Sequence, residues 1–258
     1  MTAFLFLSNP WLVPIVMLVV LGLSIEVPYR LGRLLRRHIP KADPFNTVQA
    51  GLLTLAAFVL ALSFNQASAR FDARRALVVK EANAVGTTWL RANQLETTQS
   101  KQFRQILTDY TAARVRAYET PRDPALYRKT NDRSSLDQRL LWSIASSALH
   151  SHQTNLGLGL LMQSLNDTID VSMEQLQALR SHVPTAVVLL TLSLVTLGTV
   201  SLGLRFAMEE SRPIVLSAIY VIAYVLVINM MIDYDRPNTG FVTVNLSPLK
   251  LQLESMQR

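Results

Sequence analysis

The sequence predicts an all-α membrane protein: four transmembrane helices, with a helical-bundle insert between the second and the third. Three observations carry this reading. Half of the 258 residues are hydrophobic and only 17% are charged, where a soluble domain of this length carries about a quarter. The apolar residues gather in four blocks, each near the ~20 residues needed to cross a bilayer. Between the second and third blocks lies a long polar stretch whose apolar residues recur at helical spacing.

The first block runs from about 3 to 25, enough to span roughly 30 Å of hydrocarbon. No Lys or Arg precedes it and no small-x-small site follows, so it does not read as a cleaved signal peptide. Trp11 suits an interface, and Pro14 is expected to start or kink the main helical run. A basic connector follows, with Arg30, Arg33, Arg36, Arg37, His38 and Lys41. Pro40 and Pro44 are expected to end it. Asn46 or Thr47 can then cap a second membrane helix over about 48–64.

That second helix has no stop signal. No Gly or Pro stands between Gly51 and Gly86, and Phe71, Val78, Ala82, Val85 and Trp89 continue one packed stripe. The helix is expected to leave the bilayer unbroken. The insert, residues 65–182, has stripes at Phe103, Ile106, Leu107 and Tyr110, at Leu136, Leu140, Leu141 and Ile144, and at Leu158, Leu161, Leu165, Ile169, Met173 and Leu176. Pro121 and Pro124 separate its first two arms, and Gly157 and Gly159 weaken a third. An antiparallel helical bundle is expected, with 15 Lys or Arg and 11 Asp or Glu on its surface.

The third and fourth membrane helices, about 183–204 and 213–232, are joined by a connector so short that they must form a hairpin. Pro213 fits the first turn of the fourth. The segments 1–64 and 183–232 thus form two transmembrane hairpins, and 233–258 a tail. The tail opens with turn formers and reads Phe241-Val-Thr-Val-Asn as a short extended segment. Four crossings put both termini and the insert on one side. The flank of the first helix favours a cytoplasmic connector and an external insert.

Several functions find no residues to support them. There are no cysteines, which removes thiolate metal sites, disulfides and cysteine nucleophiles. No nucleophile elbow, phosphate loop, paired catalytic carboxylates or Ser/His/Asp arrangement is visible, so no catalytic residue and no cofactor are assigned and an enzyme is not expected. His150 and His152 lack helical i,i+4 spacing, so no metal site is assigned there. Asp167, Asp170 and Glu174 share a helix face and read as a solvated surface more readily than as a cation site. The net charge of +7 fits headgroup contact or an anion-gathering potential. The basic residues form no stripe with interleaved aromatics, which excludes nucleic acid as the expected partner. The membrane blocks hold no internal ionisable group except Glu26 near an end. Proton-coupled transporters normally keep such groups at mid-membrane.

One run is distinctive: Ser68-Ala-Arg-Phe-Asp-Ala-Arg-Arg-Ala-Leu-Val-Val-Lys-Glu-Ala-Asn-Ala-Val-Gly-Thr-Thr-Trp-Leu-Arg91. It resembles the core of the bestrophin-like domain family of bacterial membrane proteins. That core is a membrane helix ending in Ser-Arg-Phe-Asp/Glu-Ala-Arg-Arg, then Glu-Ala-Asn-Ala-Ile/Val-Gly-Thr and an aromatic-Leu-Arg. The hydropathy layout and the tail Asp235-Arg-Pro-x-x-Gly240 agree with it. The resemblance implies a multi-pass protein of the cell inner membrane, similar at a distance to pentameric anion channels. It implies a homo-oligomer in the lipid bilayer whose second membrane helix lines a pore for small inorganic anions.

On that alignment Thr54, Phe58 and Leu62, spaced by four on one face, fall where bestrophins place an apolar neck. Ala61-Leu62 stands where the family often has Gly-Phe, which departs from a neck of stacked aromatics. Arg70, Arg74 and Arg75 fall where an anion-attracting collar would lie; headgroup contact or bundle salt bridges are the alternative. Asp72, Glu81, Asn83 and Thr87 are the polar residues of the motif, suited to a network between helices or subunits. No acidic run corresponds to the bestrophin calcium clasp. The reading set against the channel is a non-conducting membrane scaffold or sensor whose insert binds a partner protein.

Overall fold

The computed structural model describes residues 11–35, 43–119, 124–236 and 240–258. Several expectations fall outside these residues. They are the helical start near Ala3, the connector residues Arg36, Arg37, His38, Pro40 and Lys41, the break at Pro121, and the middle of the tail motif at 237–239. Among the described residues the chain is helical with no strand. The helices are α1 (Leu12–Leu35), α2 (Asp43–Arg91), α3 (Thr97–Glu119), α4 (Pro124–Ser151), α5 (Leu156–Arg180), α6 (Thr185–Met208), α7 (Ile214–Asp235) and α8 (Ser247–Gln257). A 3-10 turn over Ala92–Gln94 links α2 to α3. Among the described residues four stretches of helix are long and apolar enough to cross a membrane, in α1, α2, α6 and α7.

α1 differs from the run that predicted it. Its described part begins at Leu12 and continues through Pro28 to Leu35, ten residues past the apolar block. The end of apolarity does not end the helix, which continues even past Pro28, a residue with no N–H to bond the carbonyl four residues back. α2 likewise begins at Asp43, with Pro44 in its first turn, where a proline's missing N–H costs nothing. Asn46 and Thr47 are therefore inside the helix and cap nothing. From there α2 runs unbroken for 49 residues.

The chain divides into two units, residues 1–69 with 182–236, and residues 70–181 with 237–258. In the first, α1 packs on α6 and α7. Its core contains Leu21, Ile25, Ala56, Leu60, Ala67, Val195, Val221, Val225 and Ile228. Small residues set the spacing. A Cβ added at Gly203 on α6 would overlap the Ile25 carbonyl of α1, and one at Gly198 would lie 2.8 Å from Leu53 Cδ2 on α2. Asp235, from the tail motif, accepts a 2.8 Å hydrogen bond from Val183 N just ahead of α6, and its other carboxyl oxygen lies 3.3 Å from His182 Nδ1.

In the second unit α3 packs on α4, α4 on α5, and α8 on α3. Most members of the predicted stripes meet in one core with Val85, Phe103, Leu107, Tyr110, Leu141, Leu158, Leu161 and Leu165, whereas Leu136, Leu140 and Met173, expected in the same stripes, are exposed. α8 was not anticipated, and the expected extended segment at 241–245 is not a strand. Asn245 Oδ1 accepts from the Ser247 N–H at 2.9 Å and from its Oγ at 2.7 Å, at the turn that leads into the helix. Leu249 is then fully buried with Val78, Ala82, Val115 and Tyr118.

Candidate functional site

α2 carries all the neck, collar and motif residues singled out by sequence, and its two faces differ. Within the first unit Ala56, Leu60, Ser63 and Ala67 are buried, at the helical spacing of a packed stripe. Ser63 Oγ lies 3.0 Å from Thr191 Oγ1 on α6, and each hydroxyl also lies within bonding distance of the carbonyl four residues back in its own helix, at 2.7 and 2.8 Å, so one can donate to the other while the other donates to its carbonyl. These bonds leave no hydroxyl unmet in an apolar core. Thr54, Phe58 and Leu62 lie on the other side. All three are exposed, Phe58 at 61% and Leu62 at 48%. The neck candidates thus share one face that no described residue of the chain covers.

Within the second unit the motif residues part company. Arg75, Asp72, Asn83 and Thr87 are exposed, and Arg70 is half-buried with Nε 3.4 Å from Ser181 Oγ. Arg74 is 4% exposed. Its Nε donates to the Ala178 carbonyl at 3.1 Å and its terminal nitrogen to the Ser181 carbonyl at 2.8 Å. A cation bound to the last carbonyls of a helix also meets the negative end of the macrodipole. Arg74 therefore caps α5, and its charge is committed to protein carbonyls rather than to a collar. Arg75 is the member of the trio whose side chain stands in the open.

Glu81 is fully buried. Its Oε1 accepts from Arg114 Nε at 2.7 Å and from the Tyr110 hydroxyl at 3.3 Å. Arg114 also donates to Gln175 Oε1, whose Nε2 donates to the Leu77 carbonyl at 3.1 Å. Gln138 Nε2 donates to Tyr110 Oη at 3.5 Å and to Ser172 Oγ at 2.8 Å. Burial alone would lower the Arg114 pKa, but the neighbouring Glu81 carboxylate raises it above its ordinary value. Burial, with Glu81 beside it, also raises the Tyr110 hydroxyl. Arg114 stays charged and Tyr110 neutral, which is the protonation this network needs.

Of this network the sequence singled out only Glu81. The signal for Arg114 was present. Arg114 continues the stripe of Phe103, Leu107 and Tyr110, so a charge stood where an apolar residue was due. Gln175, 2% exposed on α5, stands beside Leu176 and outside the apolar stripe read there, so it gave no such signal.

The remaining acidic candidates are paired in ordinary ways. Asp170 accepts from Asn166 Nδ2 at 2.8 Å, and Glu174 pairs with Lys80 at 2.8 Å. Among the described residues no group of three or more His, Asp or Glu side chains is placed to hold a metal ion. In the first unit the rings of Tyr220 and Tyr224 of α7 are in tilted contact, with centroids 4.7 Å apart and planes 42° from parallel.

Together these features define a class: a helical membrane protein whose second membrane helix runs on unbroken through a helical insert and bares one apolar face. Residues 15–249 match the model of the bestrophin-like domain, and the chain belongs to that family. Its fold is that of a bacterial bestrophin homolog from Klebsiella pneumoniae, known from crystal structures of single-substitution variants. Three of these give TM-scores of 0.66, 0.68 and 0.69 at 16%, 16% and 15% sequence identity. Each covers 95% of this chain, and 95%, 96% and 96% of its own. No curated protein matches the chain in sequence.

Proposed function

We propose that the protein is an oligomeric ion channel of the cell inner membrane, conducting small inorganic anions through a pore lined by α2. The observation that carries this is the bare face of α2. A membrane helix that packs its small residues inward and leaves Phe58 61% exposed can spend that face on lipid or on an axis. Membership of the bestrophin-like family favours the axis, with Thr54, Phe58 and Leu62 repeated around it by cyclic symmetry; five-fold symmetry follows from the resemblance. A ring of apolar side chains gates by excluding water until it widens. Arg75, exposed on the same helix, adds positive potential that raises the local anion concentration. Asp72, Asn83 and Thr87 are exposed polar residues of the same motif and are assigned to contacts between subunits.

The test is anion flux into proteoliposomes, with single-channel recording, for the wild type and three variants. Phe58→Ala should increase conductance, Phe58→Trp should reduce it, and Arg75→Glu should shift selectivity away from anions. A wild type that assembles with no axial path and passes no ion would sink the proposal and leave the scaffold reading, with the insert as its docking element.

A further inference from the structure

The first unit contains a second feature that the neck does not use. A crevice of about 350 Å³ opens along α1 and α7, walled by Leu18, Gly22 and Ile25 of α1 and Val221 and Ile222 of α7. Glu26, Tyr29 and Arg212 stand at one end of it. There a single carboxylate oxygen, Glu26 Oε1, accepts from Arg30 Nε at 2.7 Å and from Arg212 at 2.8 Å. The Arg212 and Arg33 guanidiniums lie 5.6 and 6.0 Å from the Tyr29 ring centroid. Two guanidiniums bind one carboxylate and a third lies near the Tyr29 ring, so the mouth keeps a positive surplus. Arg30 and Arg212 are also the more exposed partners, at 72% and 52%.

We propose that this crevice binds an anionic glycerophospholipid, with its phosphate on Arg30 and Arg212 and one acyl chain along α1 and α7. Three matches select that occupant. The chemistry changes along the crevice from apolar walls to a cationic mouth, as a phospholipid changes from chain to headgroup. Leu18 and Tyr29 lie about three helical turns apart, about 16 Å, and one leaflet of hydrocarbon is about 15 Å deep. The mouth lies at the ends of two membrane-crossing helices, the last turns of α1 and the first of α7, where headgroups sit. Guanidiniums bind phosphate oxygens bidentately, and each donates only one of its N–H groups to Glu26. Basic pockets between membrane helices favour anionic lipids on the same grounds.

The experiment incubates full-length protein in detergent with vesicles of equal parts phosphatidylglycerol and phosphatidylcholine. Retained lipid is counted by native mass spectrometry. The wild type should retain phosphatidylglycerol in excess. Arg212→Gln should cut that excess about tenfold, the loss of one charge-assisted contact. Glu26→Gln should raise it, because it removes the competing carboxylate; a folding defect would not tighten binding. Gly22→Leu should lower retention of both lipids, since a Cβ there meets nothing within 4 Å and the larger side chain fills the crevice. Equal retention of the two lipids overturns the proposal. So does displacement of phosphatidylglycerol by an equal concentration of inorganic phosphate, which would make the mouth a free-anion site. So does a Gly22→Leu protein with unchanged lipid and altered oligomer mass, which would mark the crevice as a contact with a second copy.

Discussion

The two stretches of α2 solve burial in opposite ways. From Ala56 to Ala67 in the first unit the buried face is Ala56, Leu60, Ser63 and Ala67, and its polar side chain is the Ser63 hydroxyl, which can bond the Val59 carbonyl of its own helix. In the second, the same helix buries Arg74 and Glu81, each tied to groups distant in sequence. A hydroxyl in an apolar core can be satisfied by its own helix, so it asks little of the fold. A buried charge can be satisfied only by tertiary structure, so its presence ties several helices to one arrangement. The first stretch is therefore specified by size and the second by chemistry. The bare face of Thr54, Phe58 and Leu62 is specified by neither within one chain.

If that contrast holds, the largest effect belongs to the buried pair. Arg114→Met should destabilise the protein by about 3–5 kcal/mol, because it removes the ion-pair partner of a carboxyl at 0% exposure and leaves it only the Tyr110 hydroxyl. Replacing both residues with apolar ones should recover much of the loss. Thermal unfolding in detergent, followed by circular dichroism, checks both. A neutral Arg114→Met would break the comparison, since the charge would then not be holding the helices.

Next in size is the cap on α5. Arg74→Met should cost about 1.5–3 kcal/mol, the loss of charged hydrogen bonds to the Ala178 and Ser181 carbonyls. Arg75→Gln, one residue along and exposed, should stay within about 0.5 kcal/mol. Similar melting temperatures for the two variants would show that burial does not separate these neighbours. In the first unit the corresponding probe is size. Gly203→Leu drives a side chain into the Ile25 carbonyl and should cost about 1–3 kcal/mol, with loss of the α1–α6 contact seen by cysteine crosslinking.

A smaller effect comes from Asp137, whose side chain is 1% exposed beside Arg133. Burial raises its pKa, and Arg133 only partly opposes this. The folded state then holds a proton that the unfolded chain has released. Stability should fall as the pH rises from about 4, the ordinary Asp value, through the raised folded value, and level off above it. Asp137→Asn should flatten that part of the pH dependence of the melting temperature.

Much of this architecture was legible because it rests on long runs. Four apolar blocks and three helical stripes are each averaged over many residues, so single departures do not hide them. The unbroken α2 was legible from the lack of any Gly or Pro over the middle of its length. α8 was not, because an 11-residue helix that fully buries little beyond Leu249 and Met256 leaves a weak pattern, and Phe241-Val-Thr-Val ahead of it imitates a strand. Of the site, the four-residue spacing of Thr54, Phe58 and Leu62 showed that they share a face, and the family resemblance supplied a reason to look there. The role of Arg74 was out of reach, since its partner Ser181 is 107 residues away. The same holds for the partner that Glu81 finds in Arg114, on another helix. Side chains that bond across helices leave a local trace only where they interrupt a stripe.

The smallest expected change in stability sharpens the comparison most. Phe58→Ala removes a large apolar side chain from a membrane helix, and at a core position that would cost about 3–5 kcal/mol. At 61% exposure the side chain contributes little to packing within the chain, so the single subunit should unfold within about 0.5 kcal/mol of the wild type. Anion flux should rise all the same, because the residue stands on the proposed axis. Leu60→Ala, two positions along on the buried face (6% exposed), should do the reverse: about 2–5 kcal/mol of destabilisation with conductance per assembled channel unchanged. A Phe58→Ala protein that lost stability and left flux untouched would move the exposed face from an axis to a packing surface. The two faces of α2 would then have to be assigned the other way round.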